Sequence, residues 1–350
     1  MPPSLTARRL HAQGISAPVA ASPAGAVRHL GAMQAQDYHA ALWAVGLRTQ
    51  GATRAQVEEA IERGEIVRTW PMRGTLHLLA REDVRWMVAL LAPRVQAANA
   101  ARIARDLGLD AAALNRGRHV VEKALAAGTP VTRSALYACM EAAGFASAHQ
   151  RGLHLLNWLA HEGAICQGPR HGKQPTFVLM DAWVPPSTPL GRDEALHRLA
   201  LRYLQGHGPA TAADLAWWSG LTQKDALRAL ELAGSALENE TRDGTTWWWR
   251  ADAPIPARSR AIHLLPAFDE YLIGYRDRTP VLDAPHIRRV IGINGLGAAT
   301  AIVQGRVVAT WKRAGDTDVA LAPLRALADA EHEGIQRAAQ RWRRFLGGAR

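Results

Sequence analysis

Met33-Gln34-Ala35-Gln36-Asp37-Tyr38 is a short polar break between two apolar stretches, and the organisation of the chain turns on how it is read. Upstream, Ser22-Pro23 joins a residue suited to a helix N-cap with the proline favoured in a first turn. Val27, Leu30 and Met33 then recur at three-residue spacing, which predicts a buried helical stripe. Downstream, the segment from Tyr38 to Leu47 is mostly apolar again. On a continuous α-helix the two glutamines would diverge by about 200° around the axis. On an extended or irregular segment they share a face. A helix that breaks here lets two carboxamides converge on one small object, such as a water molecule. The plainer alternative is a polar loop between helices.

Length and composition bound the rest. The chain has 350 residues, 48% of them hydrophobic, which suits a globular protein of about two to four modest domains. No apolar run reaches the roughly eighteen residues a membrane span needs. The opening Met1-Pro2-Pro3-Ser4-Leu5-Thr6 lacks a basic-then-apolar signal pattern, so a cytoplasmic, nucleoid-associated location is expected. Cys139 and Cys166 have no metal-type spacing, and both are expected to be small core residues in a reducing compartment. The 14 histidines leave other metals formally open. The net charge is +11, nearly all from arginine, with lysine only at Lys123, Lys173, Lys224 and Lys312. That surplus favours a polyanionic partner, nucleic acid first.

Three evenly spaced segments look alike, each starting with a threonine in an N-cap context: Thr53-Arg54-Ala55-Gln56-Val57, Thr132-Arg133-Ser134-Ala135-Leu136 and Thr211-Ala212-Ala213-Asp214-Leu215. Each leads to a predicted strand pair. The first joins Ile66–Trp70 to Thr75–Leu79 around Pro71-Met72-Arg73-Gly74. The second joins Ile165-Cys166-Gln167 to Thr176–Leu179 around Gly168–Lys173. The third joins Leu237–Thr241 to Thr245–Arg250 around Arg242-Asp243-Gly244. Helices followed by a hairpin with a basic tip describe a winged helix, here in tandem. In the second copy a helix from Thr132 to Ala143 should stop at Gly144, and Ser147 should open the next one. Such a helix-turn-helix can enter a major groove or serve as a protein scaffold.

The Pro185-Pro186-Ser187-Thr188-Pro189 linker and a boundary near Ala253-Pro254-Ile255-Pro256 complete a four-part division. Residues 1–100 form a first winged helix with the Gln-x-Gln stretch, 101–186 a second, 187–253 a third, and 254–350 a β-rich module. In that module Ile262–Leu265, Ala301–Val303, Val307–Trp311 and Val319–Leu321 read as strands of a barrel-like sheet, and Leu324–Phe345 as a charged terminal helix. The expected class is mainly α with β-hairpins.

Several constellations carry candidate chemistry. Trp70, Arg73, Thr75 and His77 sit around one hairpin tip, where they can press on a duplex; the alternative is that Trp70 caps a core and His77 is a satisfied buried imidazole. Arg170, His171 and Lys173 suit a phosphate-contacting wing, or a solvated loop. Arg276 and Arg278 lie in the patch formed by Leu265–Tyr271 and Tyr275–Arg278, which is either a DNA contact or an internal ion-pair network. Trp217-Trp218 and Trp247-Trp248-Trp249 invite a base-stacking reading, with core packing the better account. No GxxxxGK, Gly-x-Ser-x-Gly or HExxH occurs, so kinase, hydrolase-elbow and metalloprotease chemistry lack support.

Taken together, Met33–Asp37, Thr69–His77, Gly208–Thr211 with Trp217–Gly220, Leu265–Tyr271 and Gly305–Arg313 resemble the winged-helix DNA glycosylase family typified by AlkZ and YcaQ. The resemblance implies three tandem winged helices and a C-terminal barrel-like module curved around duplex DNA, and excision of purines alkylated on the imidazole ring. It implies catalytic roles for Gln34 and Gln36, which match the Gln-x-Gln form of the family motif rather than its Gln-x-Asp form. A carboxamide is no general base, but a cationic alkylated purine is already an activated leaving group. Placing one water beside an oxocarbenium-like transition state then suffices. A monofunctional enzyme is implied, acting as a monomer on double-stranded DNA without metal, cofactor, membrane or obligate protein partner. From the residues alone, a non-catalytic winged-helix transcriptional regulator and a protein-binding scaffold remain alternatives.

Overall fold

Two short capped helices precede the polar break. Ser4 caps Leu5–Ala12 (α1) by accepting from the Ala7 N–H, and Ser22 caps Pro23–Leu30 (α2) by accepting from the Gly25 N–H. In the computed structural model, which describes residues 4–256, 261–292, 295, 297–315 and 318–347, α2 stops at Gly31. The first three residues of the opening stretch lie outside the described part. After Gly31 the chain is extended over Ala32–Gln34 (β1) and re-enters a helix at Tyr38–Arg48 (α3), whose N-cap is Asp37. Met33 is buried but lies beyond the helix, so the expected stripe ends at Leu30. A further helix, Arg54–Glu62 (α4), follows. The side chain of Gln56 accepts from the Thr53 N–H at 2.8 Å, which ties the predicted cap in place.

The chain divides into two compact units, Ala60–Ala195 and the pair Met1–Glu59 with Leu196–Arg350. In the Ala60–Ala195 unit, Ile66–Met72 (β2) and Thr75–Ala80 (β3) form the first hairpin, and Met72 pairs with Thr75. Its turn is Arg73-Gly74, both left-handed (φ 54° and 70°), a backbone state that glycine adopts without penalty. The strand therefore runs through Pro71 to Met72, past the predicted end, with an irregular register between Thr69 and Met72. The long helix Val84–Leu107 (α5) and Ala111–Leu125 (α6) follow, then Val131–Thr132 (β4).

Thr132 caps Arg133–Ala142 (α7), as its sequence context predicts. Ser147 does not open the next helix. Its N–H and hydroxyl both donate to Glu141, at 2.6 and 2.7 Å, and Arg151–His161 (α8) begins four residues later. Ile165–His171 (β5) and Gln174–Leu179 (β6) make the second hairpin, longer at its tip than predicted, and Met180–Trp183 (α9) closes it. The strand order in this unit is β3-β2-β5-β6-β4. Helices α5 to α8 pack on it around Leu136, Met140, Leu155, Leu156 and Phe177. Cys166 is buried there, and burial pushes its thiol up to about 12. Cys139 is exposed on α7, a correction to its expected core place.

Arg192–His207 (α10) leads into the second segment of the other unit, and Ala212–Ser219 (α11) and Gln223–Ala233 (α12) follow. Thr211 and Asp214 form a reciprocal capping box at α11. Leu237–Arg242 (β7) and Thr245–Arg250 (β8) pair across the predicted Asp243-Gly244 turn. Ile262–Leu265 (β9), Glu270–Ile273 (α13), Ile287–Val290 (α14), Ala299–Val303 (β10), Arg306–Ala314 (β11), Asp318–Pro323 (β12) and Asp329–Phe345 (α15) complete it. The four strands form an antiparallel sheet in the order β12-β11-β10-β9, open among the described residues rather than closed as a barrel. Ile335, Ala338 and Ala339 of α15 pack on Leu264, Ala301, Val308 and Ala309, which buries one face and removes the need for closure. The fold is mixed α and β.

Candidate active site

Gln34 ends the extended β1, Ala35 is buried, and Gln36 is exposed at a bend before the Asp37 cap. No helix crosses the pair, so the glutamines are not forced onto opposite faces. Asp37 is spent on the backbone, accepting from the Ala40 N–H at 3.0 Å. The Gln34 N–H donates to Glu270 Oε1 at 2.9 Å. Gln34 Oε1 is buried and has no hydrogen-bond partner among the described residues. It is thus a carboxamide oxygen with spare acceptor capacity.

Glu270 is itself anchored. Its Oε2 accepts from Trp218 Nε1 at 3.0 Å and faces His207 Nε2 at 3.4 Å, while His207 Nδ1 donates to the Tyr203 carbonyl at 3.1 Å. The His207 ring stacks on Tyr203, and a Cβ on Gly274 would lie 2.7 Å from His207 Cδ2, so only glycine admits this approach. Phe268 turns the chain with a left-handed φ of 58°, and Asp269 caps α13. Asp269 takes a two-pronged contact from Arg48 at 2.8 and 2.9 Å, both side chains fully buried. Burial holds the Tyr275 hydroxyl up at about 12, so it stays protonated and donates to the His207 carbonyl.

Beside Asp37 lies a cleft of about 370 Å³ walled by His39, Trp43, Pro266, Trp311, Lys312 and Trp342, among others. Two of its indoles are fixed through their nitrogens, Trp43 to the Leu264 carbonyl and Trp311 to the Leu265 carbonyl, each at 2.9 Å. The cleft therefore presents rigid aromatic walls and cationic Lys312 and Arg313 to a visitor.

Comparison with known proteins settles the family. A model of the AlkZ-like DNA glycosylases matches residues 27–345. The chain belongs to the AlkZ-like DNA glycosylase family. Among curated proteins, an interstrand DNA cross-link repair glycosylase of Streptomyces sahachiroi is 27% identical over 319 residues, covering 83% of this chain and 82% of that protein. Among solved structures, the DNA glycosylase AlkZ of Streptomyces sahachiroi superposes with a TM-score of 0.82 at 24% identity, covering 100% of this chain and 98% of that one, and so shares its fold.

The remaining sequence candidates of this AlkZ-like glycosylase divide by exposure. Trp70 is 5% exposed and stacks on Phe177, ring centres 6.4 Å apart and nearly parallel, so the duplex-pressing role gives way to its core alternative. His77 is fully buried, with Nδ1 donating to the Thr75 carbonyl at 2.9 Å and Nε2 accepting from Arg73 at 3.3 Å. Both corrections have one cause, because β2 is buried at every position, and β3 at every position after Thr75, rather than alternately. Arg73 and Thr75 are half-buried around the turn, and Arg73 binds His77. His171 and Lys173 are exposed on the second tip, where Arg170 donates to the Lys173 carbonyl. Arg276 is exposed, whereas Arg278 is half-buried, bonded to the Leu272 carbonyl and lying over the Trp217 ring. Trp218 is a core residue; Trp247, Trp248 and Trp249 are half-buried, the outer two beneath Arg9 and Arg8.

Sequence reasoning missed His207, Trp218 and Glu270 as supports of the glutamine segment. The one available signal was the acidic and aromatic density of Leu265–Tyr271. Among the described residues no cluster of three or more His, Cys, Asp or Glu could hold a metal, and no helix is long and apolar enough to cross a membrane.

Proposed function

We propose that this DNA glycosylase hydrolyses the N-glycosidic bond of cationic, alkylated purines in duplex DNA, bulky and crosslinked adducts included, using a water held by Gln34 and Gln36. A purine alkylated on its imidazole ring departs without a strong base, so the protein has to place a water and face the developing sugar cation with negative dipole ends. The carrying observation is Gln34 Oε1, a buried acceptor with unused capacity at the end of β1, next to an exposed second carboxamide. The rigid aromatic cleft beside Asp37 supports a substrate too bulky for a tight extrusion pocket. The Streptomyces sahachiroi relative, named for interstrand DNA cross-link repair, points the same way.

The helix-and-hairpin segments support tandem winged helices within residues 1–100, 101–186 and 187–253, with phosphate contacts from Arg73, Arg170, His171, Lys173, Arg276 and Arg278. The reaction is tested by incubating a duplex bearing a 7-alkylguanine with the wild type, Q34A, Q36A and Q34A/Q36A, and measuring free base and abasic sites. The double variant should release base at least about 100-fold more slowly, the scale of losing one preorganised polar group, with duplex affinity within a few-fold. Undiminished release by the double variant overturns the assignment.

A further inference from the structure

We propose that Glu270 is a positioning residue for base excision, acting through the main chain of Gln34. The proposal rests on the catalytic reading of Gln34. β1 is only three residues long and ends at Gln34, and Gln36 and Asp37 lie in a bend, so backbone regularity constrains the Gln34 side chain from the N-terminal side alone and a further constraint is needed. A carboxylate from a segment 236 residues away supplies that constraint, taking the Gln34 N–H at 2.9 Å on Oε1. Its other oxygen is held by the Trp218 indole N–H at 3.0 Å, so the carboxylate plane is set from both ends.

The donors that meet the two oxygens of Glu270 make the arrangement specific for a carboxylate. A carbonyl can only accept, so His207 Nδ1, 3.1 Å from the Tyr203 carbonyl, carries a hydrogen. That hydrogen is directed at Tyr203, so the donors that converge on Glu270 are the Trp218 indole N–H on Oε2 at 3.0 Å and the Gln34 N–H on Oε1 at 2.9 Å. Glu270 is 1% exposed, His207 and Trp218 are fully buried, and no solvent competes for these contacts. A carboxylate accepts at both oxygens. A carboxamide accepts at one only, and in either orientation its NH₂ meets a donor, Gln34 N–H or Trp218 Nε1–H. Gly274 is bare so that His207 can approach, and the Asp269 cap locked by Arg48 fixes where the next residue, Glu270, begins.

The test uses the full-length protein, single-turnover release of 7-alkylguanine at saturating enzyme, and duplex affinity measured in parallel. E270Q should slow release about 10- to 100-fold while leaving affinity within about threefold, because the missing group orients a reacting residue and touches no DNA. W218F removes the donor that clashes with the new NH₂, so E270Q/W218F should recover to near the rate of W218F alone. A merely structural role predicts the reverse, since a second core change only adds damage. Q34A/E270Q should be no slower than Q34A. If E270Q does not fold, E270D, which keeps the charge and loses one methylene of reach, should show the same loss of rate at constant affinity. The proposal is overturned if the Glu270 variants release base at the wild-type rate, if their effect multiplies with that of Q34A, or if W218F worsens E270Q. Should Q34A itself release base normally, the catalytic reading of Gln34 fails instead, and the two failures are told apart.

Discussion

Asp269→Ala removes one half of a fully buried ion pair, and its consequence can be worked through. Arg48 spends every nitrogen in the interior: Nε on the Gln13 carbonyl at 2.8 Å, Nη1 on the Ala44 carbonyl at 3.0 Å, Nη2 on Gln13 Oε1 at 2.9 Å, and both terminal nitrogens on Asp269. The carbonyls and the amide satisfy hydrogens but not charge. D269A therefore strands a guanidinium with no counter-ion at a site with no exposure. Breaking a buried pair in this way destabilises by about 3–5 kcal/mol. It also removes the cap that accepts from the Tyr271 N–H at 3.0 Å, on the order of 1 kcal/mol and partly overlapping. A loss of about 4 kcal/mol in a unit of roughly 200 residues corresponds to a fall of about 8–16 °C in Tm. Urea unfolding followed by circular dichroism measures it. R48M/D269L, which replaces the pair by apolar side chains, should be more stable than D269A, because no charge is left behind. A D269A loss below about 1 kcal/mol, on the scale of an exposed pair, or a double variant weaker than D269A, refutes the reasoning.

Acidification should destabilise the protein between pH 6.5 and 4. Burial lowers His161 to about 4, and burial with the charges of Arg341 and Arg48 lowers His263 to about 4. In that window the unfolded chain binds protons that the folded one refuses, a penalty approaching roughly 3 kcal/mol per residue that is absent above 6.5 and complete below 4. Urea midpoints across this range should fall less steeply in H161Q and H263Q; unchanged slopes contradict the account. G46A places a Cβ 2.2 Å from Phe345 Cε2, so the ring of α15 must leave its place against Trp43. The loss should be about 1–3 kcal/mol in chemical denaturation, and a neutral G46A would show that the terminal helix is loosely seated. If the second hairpin meets phosphate through Lys173, K173A should lower the slope of log affinity against log salt by about 1; an unaltered K173A slope removes this hairpin from the interface.

What was legible in the sequence was local. The Ser22-Pro23 entry, the threonine caps and the Asp243-Gly244 turn act over three or four residues, and each was found where its chemistry pointed. Pro71 reads as a turn and predicts too short a strand, whereas the reversal falls on Arg73-Gly74. Ser147 carries a capping side chain, but Glu141 outbids the helix for it. The charged helix expected from Leu324 begins only at Asp329, since Leu324 still bonds back to Val308 beside the sheet. The support of the glutamine segment was not legible at all. Nothing in the spacing of Gln34 and Glu270, or of Arg48 and Asp269, indicates that residues more than 200 positions apart meet.

That separation shapes how the protein is made. Arg9 waits for Asp214, 205 residues on, and Arg48 for Asp269, 221 residues on. At ribosomal speeds of about 5–20 residues per second, these arginines leave the exit tunnel roughly 10–40 s ahead of their acidic mates. In the intervening unit, the cluster around Leu136, Met140, Leu155, Leu156 and Phe177 is drawn from within Ala60–Ala195. During synthesis the leading segment carries buried arginines whose acidic partners are not yet made, and a message truncated before codon 270 yields a polypeptide that has the glutamines but not the carboxylate that meets the Gln34 N–H.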